Sequence, residues 1–323
     1  MRTQGTETSV GRLRPSPELI TAIAPLAGLA FVLVLAGVFA PVFFSSPNLV
    51  NISRQAAILG VVAIGQTIVL LVAGIDLSVG AVMGAAMVVV AEVSGGRDEA
   101  LPLVILMLLV LGVVVGLGNA FLVVVRRVPP LVATLAMLIL VQGARLAYTQ
   151  GIPSGSIPAN LRYIGVGRVV GVPAPILVLV VVAAVMWFVL NRTGYGRRIY
   201  ATGTNPVAAR LSGVPTGWVT ASAYVLCSIS AVLAGVMLSG YVGYVDRYLG
   251  QGFDLDSIAA AVVGGATLTG GKGTVGGTLI GVAFVSVLLS LLVLLNAGVA
   301  AQLVVKGSVI IAAVALQRQV GRI

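Results

Sequence analysis

Long apolar runs fill this chain of 323 residues, and they constrain its fold more than any other feature. Ten runs of mostly aliphatic residues follow one another with short polar connections between them. A helix needs about 20 apolar residues to cross the hydrocarbon core of a bilayer. Only 9% of the residues are charged, whereas a soluble domain carries about 25%. The sequence therefore predicts an all-α fold, a polytopic bundle of about ten transmembrane segments, and excludes a water-soluble enzyme.

The boundaries of these runs also predict the domain organisation. The runs span 20–44, 56–75, 79–93, 101–125, 131–148, 173–190, 218–238, 257–268, 275–295 and 299–316. Two of them, 79–93 and 257–268, are too short to cross a bilayer as straight helices, so we expect short or broken segments there. A transmembrane domain over 19–317 then lies between tails at 1–18 and 318–323.

Clusters of arginine give the predicted orientation, because cytoplasmic connections are enriched in Lys and Arg. With both chain ends in the cytoplasm, the clusters at 126–127, 192–210 and 318–322 all fall on the cytoplasmic side. The connection 150–172 is an exception, since it places Arg162 and Arg168 on the opposite side. The net charge of +10 thus follows membrane topology, and no nucleic acid partner is expected.

The residue sets of enzymes and metal sites are missing from the sequence. The chain has no His, and its single cysteine, Cys227, lies in an apolar run. No group of Cys, Asp or Glu has metal-ligand spacing. The segment around Lys272 fails the phosphate-loop pattern, because Ala266 and Gly273 replace the required Gly and hydroxyl residue. We therefore expect neither a cofactor nor an enzymatic activity.

Two glycine-rich segments, 74–80 and 264–277, interrupt apolar runs in the two halves of the chain. Asp76 or Ser78 can cap a helix that begins near Val79, and Thr274 can cap one that begins near residue 275. Paired broken segments are typical of a transport pathway, but tight connections with capped helix starts explain the pattern equally well. The residues singled out in the second segment are Gly264, Gly265, Gly270, Gly271, Lys272, Gly273 and Thr274.

The longest predicted cytoplasmic connection, 191–217, contains a short helix with clear start and stop signals. Asn205 suits the N-cap, Pro206 the first helical position and Gly213 the end. A helix of about seven residues is not stable alone in water, so it packs on its own spans or on a second protein. The residues of this predicted loop helix are Gly203, Asn205, Pro206, Ala208, Ala209, Arg210, Ser212 and Gly213.

Polar residues within or beside the apolar runs are candidates for a pathway or its gate. They are Gln66, Asp76, Ser78, Gly80, Asn119, Thr134, Asn296 and Gln302. In membrane bundles such side chains also form hydrogen bonds from helix to helix, so both roles stay open. The apolar runs contain no pairs of acidic residues of the kind that proton-coupled carriers use.

An ordered series of motifs over residues 48–316 resembles the permease subunits of bacterial ABC importers for simple sugars, the ribose, xylose and galactose type. The series includes the segments 74–80, 133–143, 193–213, 255–260, 264–281 and 305–307. The related branched-chain amino acid permeases look different at the first motif. Two departures from the resembled family are Gln66, where its members often have an apolar residue, and the alanines before Gln302, where they often have aromatics.

The resemblance implies a multi-pass permease of the bacterial inner membrane. It also implies partners: a second permease copy, an ABC-type ATPase subunit with two nucleotide-binding domains, and a periplasmic or lipid-anchored solute-binding protein. The loop helix is then a coupling helix that docks on the ATPase. We expect a monosaccharide or a similar small polar solute as substrate. The alternatives are a permease for a nucleoside, an autoinducer-like sugar or a branched-chain amino acid, and a stand-alone secondary carrier.

Overall fold

The computed structural model describes residues 17–320, so the predicted tails 1–18 and 318–323 lie largely outside the described residues. Within this range all regular elements are helical except one two-stranded hairpin. The helices are α1 (Pro17–Phe39), α2 (Ser46–Leu71), α3 (Val79–Val88), α4 (Leu101–Ala120), α5 (Pro130–Thr149), α6 (Ala159–Val166), α7 (Ala174–Arg192), α8 (Gly194–Thr204), α9 (Pro206–Leu211), α10 (Thr216–Val242), α11 (Phe253–Val263), α12 (Val275–Leu294) and α13 (Val299–Val320). Strands β1 (Arg168–Val169) and β2 (Val172–Pro173) pair in antiparallel fashion.

Short non-α turns extend or join several helices. One π-helical turn continues α3 through Val89–Val93, and another continues α4 through Phe121–Val125. Single 3-10 turns at Pro41–Phe44 and Asp98–Ala100 lead into α2 and α4.

Each predicted apolar run corresponds to a helix in the described range, and the predicted helical membrane protein is confirmed. Six helices there are long and apolar enough to cross a membrane, and shorter apolar helices cover Pro25–Phe39, Val79–Val93 and Val299–Ala315. The run predicted at 257–268 is shifted: α11 spans Phe253–Val263 because the chain turns at Gly264 and Gly265, the latter with a φ of +94°.

Helix α2 lies at the centre of the bundle. Every residue from Ala57 to Leu71 is buried, and α2 packs against α10, α12, α11 and α7. By contrast, α4, α5 and α7 expose large aliphatic side chains over most of their length. Since exposed apolar side chains are stable in lipid, these outer helices have the surface expected of a membrane bundle.

Helices α2 and α10 are antiparallel, and this defines two ends of the bundle. At one end Tyr241 of α10 donates a hydrogen bond to the side chain of Asn51 of α2, and α6 and the β1–β2 hairpin pack nearby. At the other end the backbone of Leu71 meets the connection that contains α8 and α9. We call these the hairpin end and the loop end.

Helices α3 and α11 begin inside the bundle, and their first turns face each other. A Cβ added to Gly80 would lie 2.6 Å from the carbonyl oxygen of Gly250 and 3.7 Å from the backbone nitrogen of Asp254. Only glycine permits this approach of two backbones. The two segments that the sequence predicts as short or broken therefore meet near their N-terminal ends.

Candidate docking and transport sites

The predicted loop helix is present as α9, with the predicted start and stop. The Asn205 side-chain oxygen accepts hydrogen bonds from the N–H groups of Val207 (3.1 Å) and Ala208 (3.0 Å), and Pro206 is the first helical residue. Gly213 follows the helix with a φ of +81°. The helix has six residues rather than the predicted seven, because it ends at Leu211.

Helix α8, which precedes α9, was not predicted. The Thr193 hydroxyl caps it by accepting the N–H of Gly196. Ile199 anchors α8 to the rest of the bundle, because its side chain is fully buried in the main hydrophobic core. The signal available in the sequence was a Thr cap before Gly194, but the three glycines of α8 disfavour helix locally.

The outer surface of α9 carries apolar side chains. Ala209 packs inward, whereas Val207 is 68% and Leu211 is 86% exposed. These two residues are four positions apart and therefore lie on one side of the helix. Trp218, 78% exposed, lies on the first turn of α10, and the exposed Arg210 is 3.4 Å from the Thr216 hydroxyl.

We call Val207, Arg210, Leu211 and Trp218 the docking face. Contiguous apolar side chains on an exposed helix are typical of an interaction surface. Among these residues only Arg210 was a predicted site residue. The spacing of Val207 and Leu211 was visible in the sequence, but it does not indicate which side of a six-residue helix faces outward.

Three segments meet where α8 ends. A Cβ added to Gly203 would lie 1.7 Å from the Leu71 carbonyl oxygen, and the Gly271 N–H donates to that same oxygen (2.9 Å). The Tyr200 hydroxyl donates to the carbonyl oxygen of Gly273 (2.8 Å). Burial raises the pKa of Tyr200, which keeps the hydroxyl protonated and able to donate. We call this contact of α8, the end of α2 and the turn 264–274 the junction.

The second glycine-rich segment forms a compact turn that belongs to the junction. The Thr267 N–H donates to the Lys272 carbonyl oxygen (3.0 Å), which closes the turn, and the Lys272 side chain is exposed. Thr274 caps α12 by accepting the Gly277 N–H (3.0 Å), as predicted. Gly264 packs against the backbone of Gly277, so this turn holds α11 and α12 together.

The first glycine-rich segment is held by a buried carboxylate. Asp76 Oδ1 accepts the N–H (2.9 Å) and the hydroxyl (2.5 Å) of Ser78, and Asn119 Nδ2 lies 3.4 Å from both carboxylate oxygens. Of the two predicted caps, Ser78 occupies the N-cap position of α3, but its hydroxyl donates to Asp76 and makes no cap bond, and Asp76 accepts the N–H of Ser78 rather than one within the helix. Asp76 instead binds the backbone just before the helix.

Gln66 binds the backbone of the same segment. With its carboxamide oriented to match donors with acceptors, Nε2 donates to the Asp76 carbonyl (3.0 Å) and Oε1 accepts the Asp76 N–H (3.1 Å). Thr134 donates to the Ile75 carbonyl oxygen (3.2 Å). Five of the eight predicted pathway residues thus form one polar network, which comprises Gln66, Asp76, Ser78, Asn119 and Thr134.

The three other predicted pathway residues lie outside this network. Gly80 contacts the backbone of Gly250 at the start of α11. Asn296 is exposed in the connection between α12 and α13, with a φ of +55°. Gln302 donates to the Ala297 carbonyl oxygen (3.0 Å) in that connection. The structure therefore separates Asn296 and Gln302 from the broken segments.

Comparison with known proteins finds import permeases that are similar over most or nearly all of the chain. Residues 48–314 match the family model described as "Branched-chain amino acid transport system / permease component". The ribose import permease protein of Bacillus subtilis (strain 168) is 35% identical over 99% of both chains. That of Escherichia coli (strain K12) is 36% identical over 96% of this chain and 97% of its own. The fructose import permease protein of Rhizobium meliloti is 35% identical over 85% and 78%. No solved structure matches the chain.

Proposed function

We propose a specific mode of coupling for this chain, which belongs to the permease-component family matched by residues 48–314 and is a transport subunit rather than an enzyme. It is the membrane-spanning subunit of a bacterial ABC importer, and it takes a monosaccharide or similar polar solute from a binding protein outside. A partner ATPase binds the docking face on α9. The exposed apolar side chains of that capped helix are the observation that carries this proposal.

The proposed orientation puts the loop end in the cytoplasm. Arg126 and Arg127 follow the turn in which Val124 contacts Gly217, so they belong to the loop end together with the arginines of 192–210. The acidic turn Asp98–Ala100 binds the start of α6 at the hairpin end, through Asp98 and the Asn160 N–H (3.1 Å). Because cytoplasmic connections are enriched in Arg and Lys, the loop end faces the cytoplasm. In the proposed topology ten segments cross or enter the membrane, and both chain ends lie in the cytoplasm.

The contacts of the junction support the proposed route of coupling from the ATPase to the pathway. Movement of α9 is passed to α8, and α8 contacts the end of α2 and the turn 264–274 directly. Those two segments lead into the broken helix α3 and out of the broken helix α11. A force on the docking face therefore reaches both half-helices that meet inside the bundle, where the solute passes between this chain and a second permease copy.

Leu211→Asp is expected to weaken binding of the ATPase by about tenfold, because a buried Leu contributes about 1.5–3 kcal/mol and 1.4 kcal/mol is tenfold in affinity. The measurement is binding of the purified permease to the ATPase of its own gene neighbourhood by biolayer interferometry. Val170→Asp at the hairpin end is the matched control, since Val170 is 99% exposed. Equal binding by Leu211→Asp and wild type contradicts ATPase docking on α9.

The proposed substrate class rests on the relatives, whose names specify import of ribose and fructose. Uptake of labelled ribose by proteoliposomes that contain permease, ATPase and binding protein tests it, with leucine and a nucleoside as competitors. Uptake of leucine alone would favour the amino acid alternative. Gradient-driven uptake by the permease without an ATPase would overturn the proposed function itself.

A further inference from the structure

A cavity of about 260 Å³ lies where the first turns of α3 and α11 meet, beside α5, and its wall combines polar groups with the apolar side chains of Ala81, Leu138 and Leu249. Four polar side chains line it together with the backbone of Gly80 and Gly252: Gln142, Arg145, Gln251 and Asp254. Gln142 is one of the polar residues that the sequence places within the apolar runs, whereas Arg145, Gln251 and Asp254 were not predicted to belong to a pathway. The cavity can be reached from the molecular surface, because Gln251 is exposed and Gln142 is half-buried.

Arg145 is the cationic side chain in the cavity wall. Its side chain is 7% exposed, and its Nη2 and Nη1 donate to the carbonyl oxygens of Arg247 (2.7 Å) and Leu249 (3.4 Å). Its Nε has no hydrogen-bond partner among the described residues. Two backbone carbonyl oxygens thus hold the guanidinium in place, so its positive charge stays at the cavity wall.

The cavity offers donors and acceptors together. The two carboxamides both donate and accept, the guanidinium donates, and the Asp254 carboxylate accepts. The first turns of α3 and α11 add backbone N–H groups, and neither helix has a side-chain cap within the part of the chain that the structure describes. Because the cavity wall carries one cationic and one anionic side chain, the cavity does not strongly favour an anion or a cation as its ligand. This set matches vicinal hydroxyl groups, each of which donates and accepts.

We infer that this cavity is a low-affinity binding site for a neutral polyhydroxyl solute during its passage, with the Gln142 and Gln251 carboxamides as the contacting groups. The inference rests on the proposed function and deepens it, because it names the residues that the solute meets after release from the binding protein. It assigns to α5 a direct role in the pathway.

Direct binding of ribose to the purified permease, without ATPase or binding protein, tests the site. Saturation-transfer NMR with millimolar ribose is expected to show contact with wild type. The apparent affinity is expected to fall by about fivefold in Gln142→Leu and in Gln251→Leu, the effect of one or two hydrogen bonds. Gln251 is exposed, so its variant keeps the test valid if Gln142→Leu fails to fold. Gln55→Leu, at an exposed position of α2, is the matched control and is expected to bind like wild type.

Two further probes separate the outcomes. Ribose 5-phosphate and leucine are expected to compete poorly, and stronger contact by either overturns the assignment to a neutral polyol. Unchanged ribose contact in both Gln variants overturns the site. If the complex still couples ATP hydrolysis to uptake in that case, the cavity inference fails and the proposed function stands. If wild type shows no coupling with any ATPase, the proposed function fails instead.

Discussion

Gly203→Ala is expected to abolish ATP-driven uptake by the assembled importer. The added Cβ would lie 1.7 Å from the Leu71 carbonyl oxygen and 2.6 Å from the Gly271 nitrogen, and both are backbone atoms. Neither can rotate away, so α8 must separate from α2 or from the turn 264–274. Overpacking of this kind costs about 1–3 kcal/mol or more. Motion of the docking face then no longer reaches the broken helices.

The measurement is uptake of labelled solute into proteoliposomes, together with ATP hydrolysis in the presence and absence of loaded binding protein. Gly203→Ala is expected to bind the ATPase but to lose both uptake and stimulation. Gly194→Ala on the same helix is the matched control, because its Cβ would be 3.6 Å from the nearest atom, Arg197 Nη2. Wild-type uptake by Gly203→Ala, or an equal loss in Gly194→Ala, contradicts transmission through the junction.

A milder variant keeps this prediction testable if Gly203→Ala does not fold. Tyr200→Phe removes the hydrogen bond to the Gly273 carbonyl oxygen and leaves the ring in place. We expect the purified protein to remain monodisperse and its uptake to fall by a few fold. One neutral hydrogen bond contributes about 1 kcal/mol, which corresponds to about fivefold in an equilibrium between two states of the junction.

Features that depend on a few neighbouring residues were predicted well from the sequence. The apolar runs gave the helices, and the Asn205, Pro206 and Gly213 signals gave α9 almost to its ends. These signals act within one helical turn, so no tertiary contact is needed to read them. Thr274 as the cap of α12 is correct for the same reason.

Features that depend on distant residues could not be predicted in this way. Helix α8 has weak local propensity and forms around the buried Ile199, which packs in the core shared with α2 and α10. The cavity brings Gln142 and Arg145 together with Gln251, which lies more than 100 positions along the chain. The members of the polar network were predicted but their partners were not, because Asp76 and Asn119 are 43 residues apart.

Gln66 is one of the two departures from the resembled family, and its substitution is the second change for which we expect a large effect. Gln66→Leu is expected to lower the apparent melting temperature in detergent by about 5 °C or more. The substitution leaves the carbonyl and the N–H of Asp76 without the bonds of 3.0 and 3.1 Å, respectively, that Gln66 supplies. Each buried polar group without a partner costs about 1–3 kcal/mol. Gln55→Leu on the same helix is the control: it removes one long, exposed hydrogen bond to the Tyr241 hydroxyl (3.4 Å), so we expect a shift within about 1 °C.

The same substitution is expected to reduce transport, because α3 begins directly after the segment that Gln66 holds. If the Asp76 backbone moves, the first turn of α3 moves with it, and Gly80 loses its fit against Gly250 and the start of α11. Uptake by Gln66→Leu is therefore expected to fall even below its melting temperature, while ATPase binding at α9 is retained. Unchanged stability and uptake would mean that the turn 72–78 finds other partners for its backbone, and that Gln66 is not what holds this broken helix.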